Sequence, residues 1–534
     1  MKEKKKLKLK KFYLHPVTAF ILLTLLVIVL SGLFSVFGLQ ATYNKLNTNT
    51  GELEKTLVTV ENLLNYDGIK YIVSNATKNF ISFTTLSTLI ISLIGISIIQ
   101  ATGLLDAFIK RTLIKIDNKK LTFMLILIAT LSSLINEIGY VILIPLAAII
   151  FQKNKRNPIA GIIAAFAGVS FGYGATLFVG SMEVNLNPIT ESAAGLIDST
   201  HHVPLTSNLF IIIISSIILS VIGTIIIEKI LIPKLGKYKN NPDSITQEIE
   251  IIDNIDTVEQ QEQNKLREEL LEKKGMKNAL IATIVFILFM VYSLIPNLPF
   301  SGLLLDMEES TYLGQVFGPN SYFQDGFTFL ISLFFIVVGI AYGIGAKTIT
   351  NDKELVKESS EYLSNIGNLV MLVFFASQFI AIFKKTNIAA IITAWGANII
   401  NQANFTGIPL VLLVIIIIAI ANIFTTTPVA KWTILAPVVV PKLMQANISP
   451  EFSQFILRAG DSMTKGITPL LAYFVIYVGY LNLYNPDRKK PITIRKALSL
   501  LTPYCLIISI TWIVITILWY IIGLPIGPSI YTTL

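Results

Sequence analysis

The stretch Pro450–Pro469, PEFSQFILRAGDSMTKGITP, opens an apolar run that reaches Tyr480, long enough to cross a bilayer, and carries Arg458, Asp461 and Lys465 near its middle. At helical spacing (i, i+3, i+7) the three side chains fall on one face. Each charge at a bilayer centre costs about 3 kcal/mol on the translocon scale. Such a face is kept only toward a polar cavity or a partner charge. The alternative is an internal Arg458–Asp461 pair that ties helices together; intramembrane charges by default mark a functional site.

Working outward, the rest of the chain is that of a polytopic membrane protein. Of 534 residues 53% are hydrophobic and 14% charged, with mean hydropathy +0.69. The formal charge of +9 is no nucleic-acid footprint, because Lys and Arg sit in short loops between apolar segments, a positive-inside pattern. The basic amino terminus, MKEKKKLKLKK, precedes an apolar run from about Val17 to Phe37. That run is too long for a cleaved signal and reads as a retained first span, with the amino terminus in the cytoplasm. The single cysteine, Cys505, offers no disulfide framework, and His201 and His202 make no spaced ligand set. The chain holds no HExxH, GxSxG or P-loop, so neither hydrolytic chemistry nor ATP drive is expected: it reads as no enzyme, with no cofactor.

Nine spans are expected, over about 17–37, 80–104, 158–181, 207–232, 278–296, 326–346, 364–383, 450–480 and 498–523. Two further apolar stretches are interrupted. The first, about 121–151, breaks at SSLINEIGY (132–140) and has basic flanks on both sides. It should enter and leave on one side as a re-entrant hairpin, with Asn136, Glu137 and Gly139 near its tip; a single tilted helix is the alternative. The second, about 405–443, breaks at NIFTTTPVAKW (422–432) and, by span count, begins and ends outside. The carboxyl terminus then lies outside. Residues 1–234 form a first half and 277–534 a second, joined by a polar, mixed-charge cytoplasmic linker over 235–276.

The halves repeat. Laying 140–178 on 432–470, without gaps, sets YVILIP on WTILAP, Pro158 on Pro450, and AGVSFGYGATL on AGDSMTKGITP. Nine of 39 positions are identical, few for apolar sequence, but they include paired prolines and glycines. Five spans separate the two hairpins, so the units are inverted. Inverted repeats built from broken helices place a transport site near the midplane. Phe166, Val169 and Tyr173 stand where the second copy has Arg458, Asp461 and Lys465.

NPIAGIIAAFAGVSFGY, GLIDST, TGIPL, AKWTILAPVVVPKLM, ISPEFSQ, RAGDSMTKGITPLLAYF and the terminal GLPIGP, with HP at 15–16, resemble the AbgT family of p-aminobenzoyl-glutamate transporters over nearly the whole chain. The resemblance implies a homodimeric bacterial inner-membrane protein with nine transmembrane helices and two re-entrant hairpins per subunit. It implies transport of p-aminobenzoyl-glutamate driven by the proton motive force, some members exporting sulfonamide antimetabolites. The site it implies comprises Asn422, Trp432, Pro450, Arg458, Asp461 and Pro469. Two positions depart from the family pattern: Glu183 stands for an Asp, and Val429 for a Ser whose hydroxyl Thr427 or Thr426 would replace.

The residues suit that chemistry. The planar fork of Arg458 matches a carboxylate. Trp432 offers a plate for an aromatic ring, or else packs in the core or anchors at the interface. Asp461 is the best proton carrier, its proton released when substrate competes for Arg458. Pro450 starts a helix and Pro469 breaks one, freeing carbonyls. Asn422, Asp461 and Thr425–Thr427 equally suit Na⁺, so H⁺ and Na⁺ both stand as coupling ions. Lys465 would snorkel or neutralise Asp461, and Glu137 reads as an unpaired carboxylate. The reading is an all-α secondary transporter of aromatic or dicarboxylate anions, with drug export or Na⁺-coupled dicarboxylate carriage as alternatives.

Overall fold

The computed structural model describes residues 14–46, 53–135, 137–236, 238, 258–487 and 489–534. Asn136, the basic amino terminus and residues 237 and 239–257 of the 235–276 segment lie outside the described residues. Helix α1 (Pro16–Val36) starts at a proline, whose missing N–H costs nothing at a first helical position. Strands β1 (Gln40–Leu46) and β2 (Leu53–Thr59) then pair antiparallel, Gln40 opposite Thr59 and Leu46 opposite Leu53. This hairpin is the one departure from an all-α fold among the described residues. Helices α2 (Tyr66–Ile81) and α3 (Thr84–Ala101) follow.

The first interrupted stretch forms α4 (Asn118–Leu131) and α5 (Gly139–Lys153), broken between them, so the single tilted helix is excluded. Arg156, just past α5, donates to the Asn118 carbonyl at 3.1 Å and to the Thr122 hydroxyl at 2.9 Å, so the chain returns to where α4 began. Next come α6 (Pro158–Phe171), α7 (Ser181–Ala194) and α8 (Leu209–Ile226). Helix α9 (Val258–Ser293) carries the expected linker boundary inside one continuous helix, and its Glu272 pairs with Arg111 and, at 3.4 Å, with Lys110. Helices α10 (Tyr322–Ala346), α11 (Gly367–Lys385) and α12 (Ile388–Gln402) lead to the second interrupted stretch. There α13 (Gly407–Phe424) and α14 (Pro428–Gln445) meet at an extended Thr425–Thr427 break, and Lys442 reaches back to the Asn401 carbonyl at 3.4 Å. The chain closes with α15 (Pro450–Thr464), α16 (Phe474–Leu483) and α17 (Ile494–Ile522).

Nine helices among the described residues are long and apolar enough to span a membrane. The number matches expectation, but two members differ. Residues 158–181 and 450–480 are not continuous: α6 and α15 stop after 14 and 15 residues, about 21–23 Å at 1.5 Å per residue, short of a hydrocarbon core of about 30 Å. Their places are taken by Asn118–Ile135 and Gly407–Phe424, the first limbs of the two broken pairs. The 292-residue offset carries Pro158–Phe171 onto 450–463 and Lys153, the end of α5, onto Gln445, the end of α14. Both copies break at the same place.

The reason for each break is local. Gly172 and Gly174 follow α6; after α15 a short tight turn, Lys465–Ile467, leads to Thr468, held extended (φ −115°, ψ 130°) before Pro469. Carbonyls freed at membrane depth need partners. The Trp512 indole donates to Phe171 O at 2.9 Å; Cys505 and Ser509 donate to Met463 O at 3.3 and 3.1 Å; and Asn422 donates to Asp461 O at 2.6 Å. Around these broken helices pack α4, α8, α13, α14 and α17, while α1 rests on α11, and α3 and α9 on α10.

Candidate functional site

All four chain breaks meet at one cleft of about 700 Å³. Glu137 comes from the first break, Tyr173 from the second, Thr426 and Thr427 from the third, and Tyr473 from the fourth; Thr84 and Thr88 at the start of α3 help wall it. A second cavity of about 350 Å³ lies toward the other end of α3, against Leu93, Ile96 and Gln100, and is also lined by Tyr480 of α16. Aromatic rings fill the space between. Tyr473 stacks on Tyr140 (centroids 5.0 Å apart), Tyr140 lies against Phe166 (5.4 Å), and Phe166 stacks on Tyr477 (4.4 Å).

At the cleft and around it stand three cations and three carboxylates, each pair joining different elements. Lys465 bonds Glu137 at 2.9 Å, donates to the Thr426 carbonyl at 3.3 Å, and sits 3.5 Å from the centroid of the Tyr173 ring. All three partners line the cleft. Glu137 is therefore not the unpaired carboxylate expected, and Lys465 does not neutralise Asp461. That role belongs to Lys431 of α14, fully buried, which bonds Asp461 Oδ1 and donates to Asn422 Oδ1 at 2.7 Å.

The expected Arg458–Asp461 partnership is likewise replaced. Arg458 pairs with Glu183 of α7, and its Nε–H donates to the Gly174 carbonyl at 2.9 Å. Glu183 is positioned in turn by the first turn of α7, where its other oxygen accepts the Gly180 N–H at 2.8 Å. Arg458, three residues before Asp461, is drawn to the break after α6, whereas Asp461 faces α13 and α14. One helix face thus serves three separate partners. Within these charge pairs, Arg458 Nη2 and Asp461 Oδ2 are buried without a hydrogen-bond partner among the described residues.

Trp432 is fully buried; its indole N–H donates to Thr190 Oγ1 at 2.9 Å, Thr190 contacts Gln454 at 3.0 Å, and Gln454 donates to Asn187 at 2.8 Å. It does not line the cleft in this conformation. Pro450 opens α15 with Ser449 as its cap, about 12 Å along the helix from Arg458. Pro469 lies just ahead of the cleft-lining Leu470–Tyr473 segment, Asn422 and Thr427 flank the third break, and Thr427 lines the cleft. Asn136 lies outside the described residues.

Lys431 was missed by reasoning from sequence, as were the polar chain partners Thr190, Gln454 and Asn187. The signal for Lys431 was present: a lysine inside the interrupted apolar stretch, beside a break.

A family model for AbgT transporters matches residues 10–534. The p-aminobenzoyl-glutamate transport protein of Escherichia coli (strain K12) is 30% identical over 520 residues, 97% of this chain and 94% of that one. Among solved structures, the YdaH transporter of Alcanivorax borkumensis is 28% identical over 96% of this chain and 100% of its own (TM-score 0.48). MtrF of Neisseria gonorrhoeae, described within a class of antimetabolite efflux pumps, is 32% identical over 97% and 98% (TM-score 0.47). The chain, a multi-pass membrane protein with buried charge pairs at and around a cleft built from broken helices, belongs to the AbgT transporter family.

Proposed function

We propose that this protein is a secondary active transporter of p-aminobenzoyl-glutamate or a closely related aromatic dicarboxylate, driven by the proton motive force. The observation that carries this reading is the convergence of all four chain breaks on one cleft, with three cation–carboxylate pairs on the elements that form those breaks. A cleft of about 700 Å³ is of the size that encloses a drug-sized ligand. Substrate enters along Tyr173, Thr426 and Thr427, and one of its carboxylates displaces Glu183 from Arg458, whose free Nη2 already faces no partner. Protonation of the displaced Glu183 then couples binding to H⁺. Passage to the second cavity requires the Tyr140–Phe166–Tyr477 stack to part, which is the alternating-access step. The 2-to-1 excess of cations over carboxylates on the segment Arg458–Lys465 is balanced by Glu183 and Glu137 from the first half of the chain, so those two pairs hold the halves in one arrangement until substrate arrives.

The same reading makes the protein a homodimer of the bacterial inner membrane, with the amino terminus inside and the carboxyl terminus outside. The cleft, walled by the start of α3, then faces outward.

The test is uptake of labelled p-aminobenzoyl-glutamate into proteoliposomes under an imposed pH gradient, beside Arg458→Ala and Glu183→Gln. Gradient-driven uptake by wild type, lost in both variants, is expected. Uptake by wild type that ignores the gradient overturns the coupling, and no uptake of this solute in either direction overturns the substrate.

A further inference from the structure

Asn422 and Asp461 read, from their types and their place beside a broken helix, as ligands for H⁺ coupling or for a sodium ion. The structure puts a side chain between them. Lys431 is fully buried, and its ammonium bonds both Asn422 Oδ1, at 2.7 Å, and Asp461 Oδ1. An ammonium is a monovalent cation that takes oxygen neighbours at short range, as Na⁺ does, but this one is tethered to α14.

We infer that Lys431 is a built-in monovalent cation, occupying a sodium-type site formed by Asn422 and Asp461 at the third chain break, and that it makes the protein independent of Na⁺. The inference rests on the transporter reading for its meaning, but not for its test.

Three observations support it. The other cations of the layer are committed elsewhere: Arg458 to Glu183, and Lys465 to Glu137 and the Tyr173 ring. Among the described residues, then, Lys431 is the cation that bonds Asp461. The oxygens are also held as a cation site would hold them. Asn422 turns its amide N–H toward Asp461 O at 2.6 Å and Thr464 Oγ1 at 3.2 Å, which leaves its oxygen aimed at Lys431. Finally, Asp461 Oδ2 is buried with no hydrogen-bond partner among the described residues, a further oxygen free for an untethered ion. Truncating Lys431 to alanine would leave a buried carboxylate, an amide oxygen and the emptied volume of three methylenes and the ammonium. A buried unpaired carboxylate is strongly unfavourable, and a small solvent cation is the simplest replacement.

The experiment is thermal melting of the purified full-length protein in NaCl, KCl and choline chloride at matched ionic strength. It uses wild type, Lys431→Ala, Lys431→Arg and the double variant Lys431→Ala/Asp461→Asn. Wild type and Lys431→Arg are expected to melt alike in all three salts. Lys431→Ala is expected to melt lower in choline and to recover by about 3 °C or more, saturably, with Na⁺. The double variant, with no charge left to balance, is expected to lose that Na⁺ response. A saturable Na⁺-specific rise in wild type overturns the inference, as does a folded Lys431→Ala that melts alike in all salts. Should Lys431→Ala not fold without Na⁺ and fold with it, the inference holds; should it fold in neither while the double variant folds, Na⁺ does not replace the ammonium and the inference falls. Because nothing is transported in this assay, its outcome is independent of whether the substrate has been named correctly.

Discussion

Tyr173 and Lys465 are matched by the 292-residue offset that aligns 140–178 with 432–470, and in the folded chain they touch: the Lys465 ammonium lies 3.5 Å from the centroid of the Tyr173 ring. The break after α6 and the break after α15 therefore meet, and Tyr173 supplies the aromatic face on which the Lys465 charge rests. A desolvated cation–π contact is worth about 2 kcal/mol. Replacing Tyr173 by Phe keeps the face and should leave transport and melting temperature near wild type. Tyr173→Ala removes both the face and part of the cleft wall, and should raise KM for the transported anion several-fold. Equal KM values for the two variants would refute a role for the ring.

Arg458 and Glu183 are both buried and joined across α15 and α7. Removing one partner of such a pair costs about 3–5 kcal/mol, whereas replacing both with apolar groups is often neutral. Arg458→Ala alone should thus lower the melting temperature strongly. The double variant Arg458→Leu/Glu183→Leu should regain most of it and still fail to transport. If transport returned with stability, the pair would be structural only.

How much of this was legible beforehand divides along a physical line. The charges Arg458, Asp461 and Lys465, the prolines and the two interrupted stretches could be read directly, because a charge or a break within apolar sequence is local information. The partners could not. Which carboxylate reaches Arg458 depends on where the turn at Gly180 sets Glu183, and which cation reaches Asp461 depends on how α14 leans on α15; neither is a property of spacing within one segment. The same limit explains the two spans read as continuous. Hydropathy averaged over a window passes through Gly172-Tyr173-Gly174 unchanged, although the backbone breaks there. Lys431 is local information of the same kind, a charge inside an interrupted apolar stretch, but its partners Asn422 and Asp461 come from α13 and α15 and are not legible from its own segment.

The rings between the two cavities make a further expectation. Phe166 and Tyr477 stack at 4.4 Å and both are fully buried; truncating either large ring to alanine costs about 3–5 kcal/mol. If the stack is the barrier, Phe166→Ala should let solute or protons leak through proteoliposomes in the absence of a driving gradient. Phe166→Leu, which keeps most of the volume, should stay tight. A folded Phe166→Ala protein with no leak would place the barrier elsewhere.

The close approach of the two breaks has its own test at Gly174. A β-carbon there would lie 2.7 Å from the Arg458 carbonyl oxygen and 2.8 Å from the Ser462 hydroxyl, while the Gly174 N–H donates to that hydroxyl at 2.8 Å and its carbonyl accepts from Arg458 Nε at 2.9 Å. The nearest obstacle is backbone, which cannot rotate away as a long side chain can. Gly174→Ala must therefore push α15 off the first repeat, at a cost of about 1–3 kcal/mol for overpacking, and it displaces the carbonyl that holds Arg458. Gly195→Ala is the control: its added carbon would meet its nearest neighbours only at 3.4 Å and 3.5 Å. Melting and gradient-driven uptake measured on both should show Gly174→Ala reduced in each and Gly195→Ala close to wild type. Wild-type uptake by Gly174→Ala would mean that the guanidinium needs no fixed seat, and that the separation of the two breaks can vary without harm to the cycle.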